Sequence, residues 1–374
     1  MSELPKGRPA ARWLVPLLAA AVALTAAACS SQDSSSEQPA EQSSAQSSAQ
    51  SSAQSSAQPT EQAASDVPVS VAMISCTAAP YCVASNDATA AEAAKLGVEF
   101  KMFDAVFDPA KTVSSCKDAI ASGKYNAILI TSVIASASVA CATAAHDAGI
   151  PVVSQYGPVG TDKVNPDPMT PGVVSQVLTP LDTQITGLID DILIPSCEGK
   201  NPCEIGWLRT PESLPEADGL LKEKLDAALA ANPNLKLVGE SASETDVSAS
   251  ISATKSFLQK NPDLDVIMGY AAQGIAGALT ALKAEGKTPG KDVLIASTGG
   301  SETIMTAMRA GEIYGTVVGL PVTEAEIALR LAVDAARGKE VPTSVDPHKE
   351  SGIPVVITQA NLGDYPDFKG QFQQ

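Results

Sequence analysis

Apolar runs typical of β-strands alternate with helical segments along most of this chain, and this alternation is the strongest constraint on its fold. The runs are "VSVAMI", "VEFKMF", "YNAILI", "IPVVSQ", "CEIGWL", "LKLVGE", "LDVIMG", "DVLIAS", "YGTVVG" and "IPVVIT". The helical segments between them include "PAKTVSSCKDAIASG", which begins with proline and ends at Gly123, and "PEADGLLKEKLDAALAANP", which ends at Asn232-Pro233. Strands joined through helices form parallel sheets, so the pattern predicts an α/β protein with doubly wound sheets.

The length of the folded part indicates how many lobes it has, and the net charge of the protein limits what it is expected to bind. From Val67 onward the chain has about 300 residues, which is long for one hydrophobic core and indicates two lobes. The formal net charge of the protein is -17, from 25 Lys and Arg against 42 Asp and Glu. That balance disfavours binding to nucleic acid or to anionic lipid surfaces.

The N-terminus has the layout of an export signal. Lys6, Arg8 and Arg12 precede "WLVPLLAAAVAL", which is too short for an ordinary membrane-spanning helix. The following "TAAACSSQ" resembles a bacterial lipoprotein signal, although Ala26 stands where leucine is usual. We therefore predict a signal peptide over residues 1–28 and lipidation of Cys29, with cleavage to a soluble secreted form as the alternative. The mature protein is expected to be exported and anchored by lipid to the outer face of the cytoplasmic membrane.

Residues 29–65 predict a disordered tether. The segment contains four consecutive SSAQ units, no aromatic residue and no apolar periodicity. It therefore has too little apolar surface to offset the entropy lost on ordering. A flexible chain of this length has a root-mean-square reach of roughly 30 Å, enough to hold a folded domain away from the membrane.

The order of motifs after the tether resembles the ribose/galactose-type periplasmic binding proteins, which feed small molecules to ABC importers. The segments that carry the resemblance are "GVEFKMFDAVFDPAKTVSSCKDAIASGKYNAILITSVIASASVACATAAHDAGIPVV", "NPDLDVIMGYAAQGIAGALTALKAEGK", "DVLIASTGGSETIMTAMRAGEIYGTVVGLP" and "PVVITQANL". The resemblance implies two α/β lobes joined by a three-strand hinge, closing on a ligand held between them. It places the N-terminal lobe at 66–180 plus 320–346 and the C-terminal lobe at 181–319 plus 347–374. The implied partners are a small-molecule ligand and ABC permease subunits, and we expect a monomer.

Other function classes find less support in the sequence. An enzyme would need a nucleophile with its base, or a metal, but the two histidines, His146 and His348, are poorly placed and no GxSxG segment occurs. We therefore predict no catalysis, no cofactor and no metal site. An export signal disfavours a transcription regulator of the same fold. A sensor that presents its ligand to a membrane receptor stays open, and neighbouring genes for a permease and an ATPase would count against it.

Six cysteines remain besides Cys29, and export favours their pairing as disulfides. Cys197 and Cys203 bracket the turn sequence "EGKNP". Cys116 and Cys141 lie in two successive helices that should pack side by side on one face of the sheet. The pair Cys76 and Cys82 then closes the loop after the first strand. Zinc and redox centres are disfavoured, because neither the histidines nor a five-residue gap has the usual spacing.

The resemblance also implies where the ligand binds, and here the chain departs from the family pattern. Sugar-binding members usually present paired aromatics, an Asp-Arg pair, an Arg, an Asn-Asp pair, an Asp and a hinge Gln along the cleft. In this chain Tyr81 matches one aromatic and Cys82 takes the place of the other. The pairs and single residues that follow are replaced by Gln155 and Tyr156, Ala271 and Ala272, Thr298, and Gly319. Leu320 is placed at the hinge.

This composition predicts a ligand less hydroxylated than a pentose or hexose. Each sugar hydroxyl needs a hydrogen-bond partner once dehydrated, and a wall of Ala, Gly, Thr and Tyr offers few. An aromatic or alicyclic ligand is expected, with a carboxylate as one candidate group that Arg209 would hold in a bidentate fork. A solvated position for Arg209 and a sugar-like ligand stay open. The predicted ligand contacts are Tyr81, Gln155, Tyr156, Arg209, Gln273 and Thr298.

Four further residues are not among the predicted ligand contacts. Trp207 lies inside its strand and is predicted in the core, whereas Tyr270 is left unassigned. The acidic residues Glu324 and Glu326 are expected on a solvated helix face, where they would be available to a permease.

Overall fold

The structure is a computed structural model that describes residues 67–77, 79–105, 107–160, 169–210 and 215–373. The predicted signal peptide, Cys29 and the tether lie outside the described residues. Within the described ranges, every helix is too short or too polar to cross a membrane.

Strands and helices alternate through the described chain. The strands are β1 (Ser70–Ser75), β2 (Glu99–Asp104), β3 (Ala127–Thr131), β4 (Val152–Gln155), β5 (Val173–Val177), β6 (Cys203–Arg209), β7 (Leu235–Ala242), β8 (Val266–Gly269), β9 (Leu294–Gly299), β10 (Gly315–Val318), β11 (Ser344–Val345) and β12 (Val356–Thr358). The helices are α1 (Pro80–Leu96), α2 (Pro109–Ala121), α3 (Ala135–Asp147), α4 (Leu181–Thr186), α5 (Ile194–Ser196), α6 (Pro215–Ala231), α7 (Val247–Lys260), α8 (Ala272–Ala284), α9 (Glu302–Arg309), α10 (Pro321–Ala336) and α11 (Pro347–Ser351). A π-helical segment, Gly187–Leu193, joins α4 to α5, and a 3₁₀ turn covers Leu362–Asp364.

The strands form two sheets of six, and each sheet belongs to one lobe. The first lobe has the order β11-β5-β4-β3-β1-β2 and is parallel throughout. The second has the order β12-β10-β9-β8-β6-β7 and is parallel except for the edge strand β12, which runs antiparallel to β10. In both sheets the chain order reverses beside the first strand, as in doubly wound folds. The predicted α/β fold with two doubly wound lobes is confirmed.

Three segments carry the chain from one sheet to the other. They follow β5 at Val177, β10 at Val318 and β11 at Val345. After the second of these, α10 packs against β3, β4 and β5 of the first sheet, so the helix belongs to the first lobe.

The central strands are buried on both faces, which explains their uninterrupted apolar runs. Every residue of β1, β3 and β4 is buried. Two apolar clusters fill the faces of the first sheet and two fill those of the second, where Trp207 is fully buried as predicted. The ends of these rigid strands are therefore fixed platforms for the loops that follow them.

All six cysteines of the described chain form disulfides, in the pairing that the sequence predicts. Cys116 in α2 is bonded to Cys141 in α3, and these two helices pack side by side. Cys197 is bonded to Cys203 around the short turn before β6. Cys76 is bonded to Cys82, which lies in the first turn of α1 rather than in the loop. This last bond joins the end of β1 to the start of α1 and so limits the position of Tyr81.

Candidate ligand-binding site

A cavity of ≈ 680 Å³ lies between the two lobes. Its lining residues follow the carboxyl ends of strands in both sheets, among them Tyr81 after β1, Tyr156 after β4, Glu244 after β7 and Tyr270 after β8. This is where open α/β sheets usually bind ligands. The volume is that of an ordinary small-molecule site.

Three aromatic rings form one wall of the cavity. Tyr81 stands at the start of α1, with its ring centroid 5.1 Å from that of Tyr156 and 5.5 Å from that of Phe372, and both pairs are edge-to-face. Such pairs contribute about 0.5–1.5 kcal/mol beyond their buried area. Tyr156 directly follows β4 with φ 73°, a left-handed conformation that turns the chain toward the cleft, and 37 % of its surface stays exposed.

Phe372 comes from the C-terminal tail, which is bonded to both lobes. The backbone N–H of Glu302, at the start of α9, donates to the Phe372 carbonyl at 2.9 Å. The Gln371 side-chain oxygen accepts from the backbone N–H groups of Val322 and Thr323, at the start of α10, at 3.0 and 3.1 Å. The tail therefore holds Phe372 in the wall at the point where the lobes meet.

Gly319, at the second crossing between lobes, leaves room for Tyr81. A β-carbon at this position would lie 2.8 Å from Cε2 of Tyr81 and 3.3 Å from the carbonyl oxygen of Gly299. A side chain would therefore displace the Tyr81 ring. The glycine at this position is thus coupled to the aromatic wall.

Glu244 provides a buried carboxyl from the second lobe. It is fully buried, and its Oε2 accepts a hydrogen bond of 2.8 Å from the backbone N–H of Tyr270. Its Oε1 has no hydrogen-bond partner among the described residues. Burial raises the pKa of Glu244 to about 7, against the opposing effect of the Tyr270 N–H.

Glu324 provides a second buried carboxyl, from the first turn of α10 in the first lobe. Only 5 % of its surface is exposed, although a solvated helix face was expected for this residue. The expectation fails because α10 begins at the hinge, so its first turn points into the cleft while Glu326, two residues on, stays near solvent. Burial raises the pKa of Glu324 to about 8, and the Tyr81 hydroxyl and Tyr156 N–H only partly oppose this shift.

The tyrosine hydroxyls are neutral in this environment. Burial, followed by the charge of Glu324, raises the pKa of Tyr156 to about 12. The same two causes, in the same order, raise the pKa of Tyr81 well above its usual value. Burial also raises the pKa of Tyr270, whose hydroxyl donates to Oε1 of Gln184 at 3.0 Å. The rings therefore present hydroxyl donors and π faces rather than phenolate charges.

The other polar side chains of the described wall are all neutral: Ser132, Ser136, Thr179, Gln184, Thr210, Thr245, Gln273 and Thr298. The Thr298 hydroxyl donates to the Tyr270 carbonyl, which leaves its lone pairs as acceptors for a ligand. Gln273, in the first turn of α8, also lines the cavity. None of the described lining residues is Lys, Arg or His. Clusters of three or more His, Cys, Asp and Glu side chains that could bind a metal do not occur in the described ranges.

The structure brings four of the six predicted contacts to the cavity and leaves two outside its lining. Tyr81, Tyr156, Gln273 and Thr298 line it. Gln155 is buried behind the wall, where its side-chain amide donates to Ser85 Oγ at 2.6 Å and Thr131 Oγ1 at 3.0 Å. It supports the turn that carries Tyr156, because it is the preceding residue.

Arg209 lies beside the cavity in an ion-pair cluster. Its Nη2 is 2.5 Å from Asp218 Oδ2, its Nη1 is 3.4 Å from Glu240 Oε1, and its guanidinium carbon is 5.1 Å from the Trp207 ring centroid. The guanidinium of Arg209 thus binds carboxylates of the second lobe itself. This geometry does not favour the predicted role in holding a ligand carboxylate.

We expect Arg209→Ala to change ligand affinity by less than about threefold, because the guanidinium does not line the cavity. The same substitution should lower the unfolding free energy by about 1 kcal/mol, since the ion pairs are partly exposed. Titration calorimetry and thermal unfolding of the same preparation measure both effects. Loss of binding with unchanged stability would instead place Arg209 against the ligand.

A family comparison agrees with this arrangement of lobes and cleft. Residues 71–340 match the family model described as a periplasmic binding protein domain. The chain belongs to the periplasmic binding protein family. The predicted ribose/galactose type is confirmed, and so is the prediction of a solute-binding protein rather than an enzyme.

Individual relatives of this binding protein are distant. The galactofuranose-binding protein YtfQ of Escherichia coli (strain K12) is 27 % identical over 238 residues, which cover 63 % of this chain and 71 % of that protein. A Mycobacterium smegmatis structure in complex with β-D-fucofuranose has a TM-score of 0.67 at 22 % identity, covering 80 % of this chain and 94 % of the other. The Caulobacter myo-inositol binding protein, bound to myo-inositol, has a TM-score of 0.63 at 22 % identity and covers 80 % and 97 %. At this identity the structures establish the shared fold.

Proposed function

We propose that this protein is the substrate-binding lipoprotein of a sugar-type ABC importer. Lipid at Cys29 and the tether over 29–65 would keep the two-lobed domain, as a monomer, near its permease subunits. The lobes would close on a small solute in the cavity and present it to the permease. The family membership supports this role, and the basic and apolar layout of residues 1–28 supports export.

The ligand is proposed to be less hydroxylated than a pentose or hexose, with an aromatic or alicyclic frame. The observation that carries this proposal is the composition of the cavity wall. Most of the exposed wall is apolar, although eight neutral Ser, Thr and Gln side chains also line it. Besides the rings of Tyr81, Phe107, Tyr156, Tyr270 and Phe372, the apolar side chains include Ala79, Val133, Ile134, Ala135, Leu181, Ala217, Ala271, Ala272, Val317 and Val318. A sugar bound there would leave several hydroxyls without partners, at about 1–3 kcal/mol each.

A sugar or sugar-like ligand is the second candidate, and the relatives favour it. Proteins of similar sequence or fold are named for galactofuranose, or were solved with fucofuranose, arabinofuranose or myo-inositol. A polyol ring of that kind combines an alicyclic frame with hydroxyls that Glu244, Gln273 and Thr298 could partner. The two candidates differ in the number of polar groups that the wall has to satisfy.

A thermal-shift screen of the unreduced chain from Ser30 to Gln374 separates these candidates. One panel contains sugars and polyols, and the other contains aromatic and alicyclic compounds with one or two polar groups. A ligand at ~100 times its dissociation constant adds about 2.7 kcal/mol, and lobes of this size gain roughly 2–4 °C per kcal/mol. We expect shifts in the second panel. Shifts by pentoses or hexoses alone would contradict the proposed ligand class.

A further inference from the structure

Two buried carboxyls line the cavity, and none of its described lining residues is basic. Glu244 comes from the second lobe and Glu324 from the first, and both line the cavity with 5 % of their surface or less exposed. The guanidinium of Arg209 does not line the cavity and is paired with Asp218 and Glu240. Buried carboxylates are normally paired with a cation, because an isolated buried charge is costly.

The partners that the protein supplies to Glu244 are incomplete. The backbone N–H of Tyr270 occupies Oε2, and the Ala271 N–H and the Thr210 hydroxyl also face this carboxyl closely enough to lower its pKa. Oε1 nevertheless has no hydrogen bond of ordinary geometry among the described residues. Asp218 adds like charge nearby and raises the pKa of Glu244 further. A carboxylate oxygen can accept more than one hydrogen bond, so this group has spare acceptor capacity at the cavity.

Glu324 is surrounded by rings rather than by charges. The partners that face it are the Tyr81 hydroxyl and the Tyr156 backbone N–H, both neutral. Those two rings, with Phe372, form the aromatic wall described above. Tyr270, whose backbone N–H donates to Glu244, also lines the cavity, and the charge of Glu244 contributes to the raised pKa of its hydroxyl. Each carboxyl is therefore adjacent to at least one aromatic ring.

Rings beside buried carboxyls favour one ligand chemistry over others. The π face of a tyrosine attracts a cation within about 6 Å of the centroid, by about 2 kcal/mol or more when water is excluded. A protonated amine adds up to three N–H donors, which match carboxylate acceptors that have no partner. A ligand carboxylate would instead add a third acidic group beside two buried carboxyls.

We propose that the ligand of this cleft carries a basic nitrogen, an ammonium or substituted ammonium group, held by the Glu244 and Glu324 carboxylates against the tyrosine rings. The inference rests on the proposed function and names the polar group of its aromatic or alicyclic ligand. The amine replaces the carboxylate that the sequence suggested for Arg209. This amine, which belongs to the ligand, supplies the positive charge that the described residues of the cavity wall lack.

The test compares amines with alcohols on the same carbon frame. The pairs are benzylamine with benzyl alcohol, 4-aminocyclohexanol with cyclohexane-1,4-diol, and glucosamine with glucose. Dissociation constants are measured by titration calorimetry on the unreduced chain from Ser30 to Gln374. In at least one pair we expect the amine to bind at least about tenfold more tightly than the alcohol, as for hydrogen bonds to charged groups.

Three Glu→Gln variants test whether the cavity carboxyls cause the preference for the amine over the alcohol. Glu244→Gln and Glu324→Gln keep the shape and a hydrogen-bonding side chain but remove the charge. Each should weaken binding of the amine at least about tenfold more than it weakens binding of the matched alcohol. Glu223→Gln, on the exposed side of α6, removes the same charge far from the wall and should change neither. Both cavity variants should fold, because each removes a buried group that is costly to ionise.

The outcomes separate this inference from the proposed function. Equal binding of amine and alcohol, or an amine preference that survives both cavity substitutions, overturns the inference and leaves the binding function intact. Tightest binding by glucose overturns the inference together with the proposed ligand class. If none of the six probes binds at millimolar concentration, the inference is overturned, while the screen of the preceding section still decides the ligand class.

Discussion

The unliganded protein should lose several kcal/mol of unfolding free energy between about pH 5 and pH 8. Burial raises the pKa of Glu244 from 4.5 to about 7 and that of Glu324 from 4.5 to about 8. A carboxyl with a raised folded-state pKa binds its proton more tightly in the folded protein than in the unfolded chain. The resulting stability is fully present below pH 4.5 and is lost as the pH rises through the folded-state value. Each pKa unit corresponds to about 1.4 kcal/mol.

Urea unfolding across this pH range measures the loss. In the chain from Ser30 onward, Trp207 is the only tryptophan and is fully buried, so its fluorescence reports unfolding of the second lobe. The double variant Glu244→Gln/Glu324→Gln should flatten the profile, whereas Glu223→Gln should leave it unchanged.

His348 affects the same profile in the opposite direction. Burial lowers its pKa, so its contribution to the unfolding free energy falls as the pH drops below its usual value of 6.5. The difference between wild type and the double variant cancels that contribution. A wild-type profile as flat as that of the variant would contradict the prediction.

Gly319→Gln should weaken ligand binding by at least about a hundredfold. The new β-carbon would lie 2.8 Å from the Tyr81 ring, which has Tyr156 and Phe372 as ring neighbours and so has little freedom to move aside. Displacing Tyr81 removes its contacts with both rings and with the ligand, and the glutamine side chain takes up cavity space. A loss of about 2.7 kcal/mol corresponds to that factor.

Two further variants test this steric explanation. Gly319→Ala adds only the β-carbon and should give an intermediate loss of affinity. Gly219→Gln, in α6, adds the same side chain where nothing lies within 4 Å of the β-carbon, and should bind like wild type. Calorimetric titration with the tightest ligand of the screen measures all three. Wild-type affinity in Gly319→Gln would mean that the hinge accepts the family's glutamine and that the Tyr81 position is unimportant for binding.

The fold could be predicted from the sequence nearly in full, because its central strands are buried on both faces and so appear as continuous apolar runs. The structure has a strand at each of the ten predicted runs. Two strands were missed. β5 (Val173–Val177) has polar Ser175 and Gln176 within its run, and β11 (Ser344–Val345) is only two residues long and pairs with the edge of β5. Such short strands at the edge of a sheet depend on the strand beside them, which the periodicity of their own sequence does not indicate.

The cavity was less predictable, since it depends on how loops from different lobes meet. Thr298 could be placed because it lies at the end of β9, and Tyr81 because it begins the helix that follows β1. Glu244 follows β7 and was overlooked, although its position after a strand was a usable signal. Phe372 had no such signal, because the hydrogen bonds of the tail to α9 and α10 determine its place. Arg209 does not line the cavity, because Asp218, nine residues later in α6, binds its guanidinium.

The C-terminal tail makes the protein suitable as a fluorescent biosensor. Gln373 is exposed and adjoins Phe372 in the cavity wall, so a label there would lie close to the bound solute. In the chain from Ser30 onward, the six native cysteines are all oxidised in disulfides. A cysteine introduced at position 373 would therefore offer a single thiol for a dye. A purification tag for binding studies belongs at the tether, where it would not disturb Phe372.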